Sequence, residues 1–164
     1  MSLTRYQQIK RYFHVSDPTI ELDQKHWYKK LNLLANQLQE SFEKYFLLGM
    51  KVAIDEMMVR FCRRTLHTLQ VKNKSIKQKY KIFALCSHGY TYGLLWYLVS
   101  EGIADLIRLN HLIPTASGVF QLAKLLPERK RCNLVLDNYF TNISLFEELL
   151  KIGIGVAGTT RVDA

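Results

Sequence analysis

A chain of 164 residues, 48% of them apolar, can bury one substantial core, so a single globular unit or a fragment of a larger one fits and two full domains would be crowded. No apolar run reaches the roughly 20 residues of a membrane-spanning helix, and the polar, basic opening from Met1 to Arg11 is unlike a secretory leader, so the sequence reads as soluble and intracellular. Cys62, Cys86 and Cys132 lie far apart without C-x-x-C spacing, which argues against a disulfide framework or a cysteine zinc site, while a net charge of +9 makes polyanions the natural partner class.

Tyr6, Ile9 and Phe13 share one helical face over residues 4–13. Trp27, Leu31, Leu34, Leu38, Phe42 and Tyr45 repeat the pattern over 26–46, so two helices with core-facing stripes open the chain. Asp17-Pro18 and Asp23 supply turn and cap chemistry between them, because proline disfavours the helical conformation at the residue before it. After Gly49, the short apolar run of Val52, Ile54 and Met58 is bounded by charge and reads as a strand with Asp55 inside it.

From Met57 to Ser100 there is no acidic residue, while Arg60, Arg63, Arg64, Lys72, Lys74, Lys77, Lys79 and Lys81 crowd the first half of that interval. Such a block is either a solvated basic loop or a surface for phosphate backbones, where each neutralised phosphate releases counterions. Tyr80 to Ser87 and Tyr92 to Val99 read as two strands of a hairpin joined by His88-Gly89-Tyr90-Thr91. Gly102, Asn110, Pro114 and Gly118 interrupt residues 101–117, which read as a loop with at most a helical turn. Helical spacing returns at Val119, Leu122, Ala123 and Leu126 and ends at Pro127.

An apolar run from Cys132 to Leu136 stops on Asp137, the pattern of a buried strand ending at a polar site. Ser144 and Glu147 have capping-box form ahead of Phe146, Leu149 and Leu150, Gly153 offers a helix stop, and Ile154 to Ala157 suits a last strand. The predicted organisation is an N-terminal helical segment, 1–48, followed by an α+β (α/β) core, 49–164. Its element order of strand, hairpin, helix, strand, helix, strand matches a ribonuclease H-like core, a mixed sheet with flanking helices, with the closing helix absent.

In such a core the first and fourth strands are neighbours, so Asp55 and Asp137 are expected to converge. Setting Asp55 within Val-Ala-Ile-Asp-Glu-Met-Met also asks for a compensating charge, since removing a carboxylate from water costs several kcal/mol. A pair of Mg²⁺ ions would supply it, and two metals about 3.5–4 Å apart can promote phosphodiester displacement. Taken singly, Asp55 or Glu56 is better explained by pairing with a nearby arginine, and Asp137 by capping a helix. The two acids together, in this element order, favour the metal site.

These residues resemble a known family. Ile54-Asp55-Glu56-Met57-Met58 with Phe61 and Arg64 is similar to the I-D-E-M-M-x-x-F-x-G-R segment of piggyBac transposases and their domesticated derivatives. Asp137-Asn138-Tyr139-Phe140-Thr141 resembles the family's D-N-aromatic-F-T-S motif. Gly153, Gly155, Gly158, Thr159 and Arg161 follow its G-x-G-x-x-G-T-x-R pattern, and Met1 to Asp17 resembles the helix ahead of its core. Two departures stand out, Arg63 at a usual glycine and Ser75 at a usual proline.

The resemblance implies a DDE/D transposase that nicks DNA at element ends, passes through hairpin intermediates and joins TTAA targets with Mg²⁺ or Mn²⁺. It makes Asp55 and Asp137 the first and second metal-binding, catalytic aspartates, and implies DNA as partner, nuclear localisation and room for a homodimer, with no membrane role. The family's third aspartate lies on a helix beyond the last strand, and the chain reaches Ala164 first. Asp163 follows that strand too closely and Glu56 points to the opposite face, so neither substitutes. The expectation is a catalytic core that is inactive alone, the alternative being a domesticated, non-enzymatic DNA-binding or interaction module. An unrelated ribonuclease H-like nuclease would need a further acid that the sequence does not offer.

Overall fold

The computed structural model describes residues 1–17, 19, 28–61, 68–70, 78–127 and 131–160. The chain divides into two compact units, Met1–Ser41 and Phe42–Ala164. The first contains helix α1 (Leu3–Tyr12) and most of α2 (Lys29–Tyr45). Ser2 caps α1, its Oγ accepting the Arg5 amide at 3.3 Å. The Asp17 turn expected from sequence is present, with the carboxylate accepting the Thr19 amide at 2.8 Å and its hydroxyl at 2.6 Å. These bonds, the hydroxyl's foremost, hold the Asp17 carboxyl below its ordinary pKa. Pro18, Asp23 and Trp27 lie outside the described residues.

The apolar stripes of these helices do not form the core predicted for them. Neither helix contains a buried residue, and Tyr6, Ile9, Leu34 and Leu38 are 50%, 45%, 37% and 41% exposed. Helical periodicity identifies a face that can be buried, and burial itself depends on what else packs there. Among the described residues no helix is long and apolar enough to cross a membrane.

The second unit is a sheet of mixed direction. Strands β1 (Lys51–Arg60), β2 (Leu69–Gln70), β3 (Gln78–Ser87), β4 (Tyr90–Leu98), β5 (Gly102–Ile103), β6 (Asn133–Leu136) and β7 (Gly155–Gly158) run in the order β5-β4-β3-β1-β6-β7, with β2 beside β3. The β1–β3, β3–β4 and β4–β5 pairs are antiparallel, whereas β1–β6 and β6–β7 are parallel. Parallel neighbours need crossover connections, and α3 (Pro114–Ala123) and α4 (Ile143–Lys151) provide them. This is the ribonuclease H-like arrangement expected from the element order, in the α+β class.

Local chemistry accounts for the turns. The β3–β4 hairpin closes through His88 and Gly89 alone, both at positive φ (52° and 80°), so the connection is two residues long instead of the predicted four. Residues 101–117, read from sequence as a loop, contribute β5 and the start of α3. Pro114 sits in the first turn of that helix, where its missing N–H costs nothing. Gly118 lies within it, where a Cβ would collide with the Ile103 side chain. Both residues read as breakers in sequence and instead fit a helix start and a close helix-to-strand approach. Gly153 ends α4 as expected, at φ 79°, with the Ile154 amide bonded to the Leu149 carbonyl at 3.0 Å.

The main core cluster lies on one side of the central sheet, while Ile82 and Ala84 of β3 are buried on the other. Val52 and Ile54 of β1, Phe83 and Leu85 of β3, and Leu134 and Leu136 of β6 pack with Val119 and Leu122 of α3 and Leu145 and Leu149 of α4. The β6 strand was expected to be buried throughout, but Asn133 interrupts the apolar run and burial alternates, leaving Val135 47% exposed. Replacing fully buried Leu134 with Ala should therefore cost about 2–5 kcal/mol in urea denaturation, while Val135→Ala on the opposite face should cost less than about 1 kcal/mol.

Candidate metal and DNA site

Asp55 and Asp137 are brought together by strand register. The β1–β6 ladder pairs Val52 with Leu134 and Ile54 with Leu136, so each aspartate is the residue that follows the same rung. Adjacent strands lie about 4.8 Å apart. Because side chains alternate, Ile54 and Leu136 enter the core while both aspartates are exposed on the other face. That exposure corrects the expectation of a buried Asp55 that demands a compensating charge. The carboxylate is accessible, and its Oδ1 accepts the Glu56 amide at 2.7 Å.

Asp137 is held more firmly. Its Oδ1 accepts the amides of Tyr139 at 3.0 Å and Phe140 at 3.3 Å, while its carbonyl accepts the Thr141 hydroxyl at 2.8 Å. The chain therefore turns tightly around this one residue. Phe140 anchors the turn, 2% exposed and edge-on to Phe83 at 5.1 Å. Asn142 then caps α4, its Oδ1 accepting the Leu145 amide at 3.0 Å. The capping box predicted at Ser144 and Glu147 is thus displaced by two residues, since Ser144 is already inside the helix.

The end of β7 borders the same turn. The Thr159 amide donates to the Leu136 carbonyl at 3.2 Å, extending the ladder to the residue before Asp137. Gly158 approaches so closely that a Cβ would meet Phe146 at 2.8 Å and would also strike the Thr141 hydroxyl. The G-x-G-x-x-G-T pattern therefore packs a strand against the aspartate turn and is not a nucleotide cradle. Arg161 lies outside the described residues.

The basic stretch is described at three of the eight cations singled out from sequence. Arg60 is exposed, Lys79 is partly exposed, and the two occupy directly paired positions of the β1–β3 ladder. Two cations placed so repel one another unless an anion lies between them. Lys81 differs, because it is 7% exposed and its ammonium is paired with Glu56. It also lies 4.9, 4.8 and 4.4 Å from the ring centres of Phe83, Tyr97 and Tyr139. That enclosed position does not suit a phosphate contact. Its neighbours along β3 are buried on both faces, Ile82 and Ala84 on one and Phe83 and Leu85 on the other, so Lys81 lies inside a covered stretch of strand. Arg63, Arg64, Lys72, Lys74 and Lys77 lie outside the described residues.

The family described as transposase IS4 matches residues 1–164. The human PiggyBac transposable element-derived protein 3 is 28% identical over 167 residues, covering 99% of this chain and 27% of that protein. This chain is a piggyBac-type member of that transposase family. The human chimeric ERCC6-PGBD3 protein is also 28% identical, over 99% of this chain and 15% of its own length. The chain thus spans about a quarter or less of the curated relatives it matches.

The fold is likewise that of a piggyBac transposase solved by cryo-EM in a synaptic complex with hairpin DNA. That structure matches with a TM-score of 0.81 and 23% identity, over 100% of this chain and 34% of the other. The piggyBac-type domain described here contains, among its described residues, no group of three or more His, Cys, Asp or Glu side chains able to hold a metal ion. Its two clustered carboxylates are Asp55 and Asp137, with Asn142 fixing the helix that follows. Asn142→Ala should lower stability by about 1 kcal/mol in chemical denaturation, while Ser144→Ala should change it by less than about 0.5 kcal/mol. Equal losses would restore the capping box at Ser144.

Proposed function

We propose that this domain supplies two carboxylate ligands, Asp55 and Asp137, to the divalent metal site of a transposase that cleaves and joins nuclear DNA. The observation that carries the reading is their position after the same rung of adjacent parallel strands. Magnesium is held through oxygen donors, commonly one or two carboxylates with several waters retained, and the exposed pair fits that demand. A divalent metal bound there supplies Lewis-acid stabilisation of charge on the oxygens of the scissile phosphodiester. The protein's own contribution is placement: two amides fix the Asp137 carboxylate, and strand pairing fixes Asp55 beside it.

DNA is the partner that the cation placement supports. The directly opposed pair of Arg60 and Lys79 is relieved when a phosphate neutralises it. Among the described residues no third such side chain joins the two carboxylates, and two alone hold a metal weakly, so the domain alone is proposed to bind DNA without cutting it.

Fluorescence anisotropy on duplex DNA tests both parts. Affinity should fall steeply between about 50 and about 200 mM salt, and combining Arg60→Ala with Lys79→Ala should lower the log–log salt slope by about 2. Asp55→Ala should leave this binding intact. Absent or salt-insensitive binding would remove DNA as the partner. Metal-dependent nicking by the isolated chain, abolished by Asp55→Ala, would contradict its proposed inactivity.

A further inference from the structure

Lys81 is an expensive residue to place where it is. Burying an ammonium costs several kcal/mol unless its charge is matched, and here it is enclosed by Glu56 and three aromatic rings. An apolar residue would fill the same space at lower cost, so the cation calls for an explanation. Its partners come from four separate pieces of the fold: Glu56 from β1, Phe83 from β3, Tyr97 from β4, and Tyr139 from the turn after β6.

Two of those partners adjoin the aspartates. Glu56 directly follows Asp55, so drawing Glu56 to the core face by ion pairing leaves Asp55 on the opposite face of the same strand. The second link runs through Tyr139. Its amide holds Asp137 Oδ1 at 3.0 Å, and its ring lies 4.4 Å from the Lys81 ammonium. The ring is 49% exposed, so burial secures it only partly, and its remaining ring contacts are with Phe140 at 5.1 Å and, more distantly, Phe83 at 6.4 Å. Attraction between the ammonium and the ring face therefore does much to fix the amide that holds Asp137.

We infer that Lys81 is a positioning residue, a buried cation that sets the relation between the two carboxylates by holding Glu56 on one side and Tyr139 on the other. The inference rests on the metal-site reading above. It assigns Lys81 no contact with metal or DNA.

The test is Mn²⁺ binding by this chain, followed by electron paramagnetic resonance, with far-UV circular dichroism to confirm folding. The wild-type chain should bind Mn²⁺ and Asp137→Ala should not. Tyr139→Leu, which removes the π face at a half-exposed position, should weaken binding at least about tenfold, the usual result of losing a group that orients a metal ligand. Tyr139→Phe keeps that face and should bind like the wild type. Lys81→Met should match Tyr139→Leu, and if it fails to fold, the two Tyr139 variants decide alone. Wild-type binding that is unchanged in Tyr139→Leu overturns the positioning role and leaves the metal site standing. No Mn²⁺ binding by the folded wild-type chain overturns the metal site, and the positioning role with it.

Discussion

The parallel register between β1 and β6 is the constraint on which everything else depends. Pairing Ile54 with Leu136 puts both residues into the core under α3 and α4, and strand alternation sends the next residue of each strand the other way. A slip of one residue in either strand would turn its aspartate inward and an apolar side chain outward. The core therefore enforces the register, and the register brings the acids together. The energy that holds this register comes from Val52, Ile54, Leu134 and Leu136, none of which does any chemistry.

The charges divide between the two faces of that sheet. On the open face the aspartates remain accessible, suited to a hydrated cation. On the covered face the Lys81–Glu56 pair and its aromatic surround occupy the rim of the core. The tight turn at Asp137 connects the faces, with a carboxylate at its start and Tyr139 resting on the cation beneath. Arg60 and Lys79 lie beyond the buried pair along the same strands, Arg60 exposed and Lys79 partly so. One stretch of basic sequence thus contributes an internal brace and two outward cations.

Much of this was legible in the sequence because the signals were local. Asp137 stopping an apolar run, Gly153 stopping a helix, and the aromatic and β-branched runs of the hairpin strands each state their conformation within a few residues. The misreadings arose where a tertiary partner decides the outcome. Gly118 and Pro114 look like breakers until Ile103 is seen against the glycine and Pro114 is seen in a first helical turn. The stripes of α1 and α2 have the spacing of buried faces but contain no buried residue, and no periodicity reveals whether a partner is present. Lys81 was grouped with its basic neighbours because charge is read along the chain, whereas its burial is set by what packs over the middle of β3. The family motifs named the two aspartates, and only the strand register gives a physical reason why they are neighbours.

The most direct measurement is anomalous diffraction from crystals of the chain grown with Mn²⁺. A single manganese peak in contact with the carboxylates of both Asp55 and Asp137 is the expected result. Manganese on one aspartate alone, or a β1–β6 register that separates the two, would contradict a shared metal site.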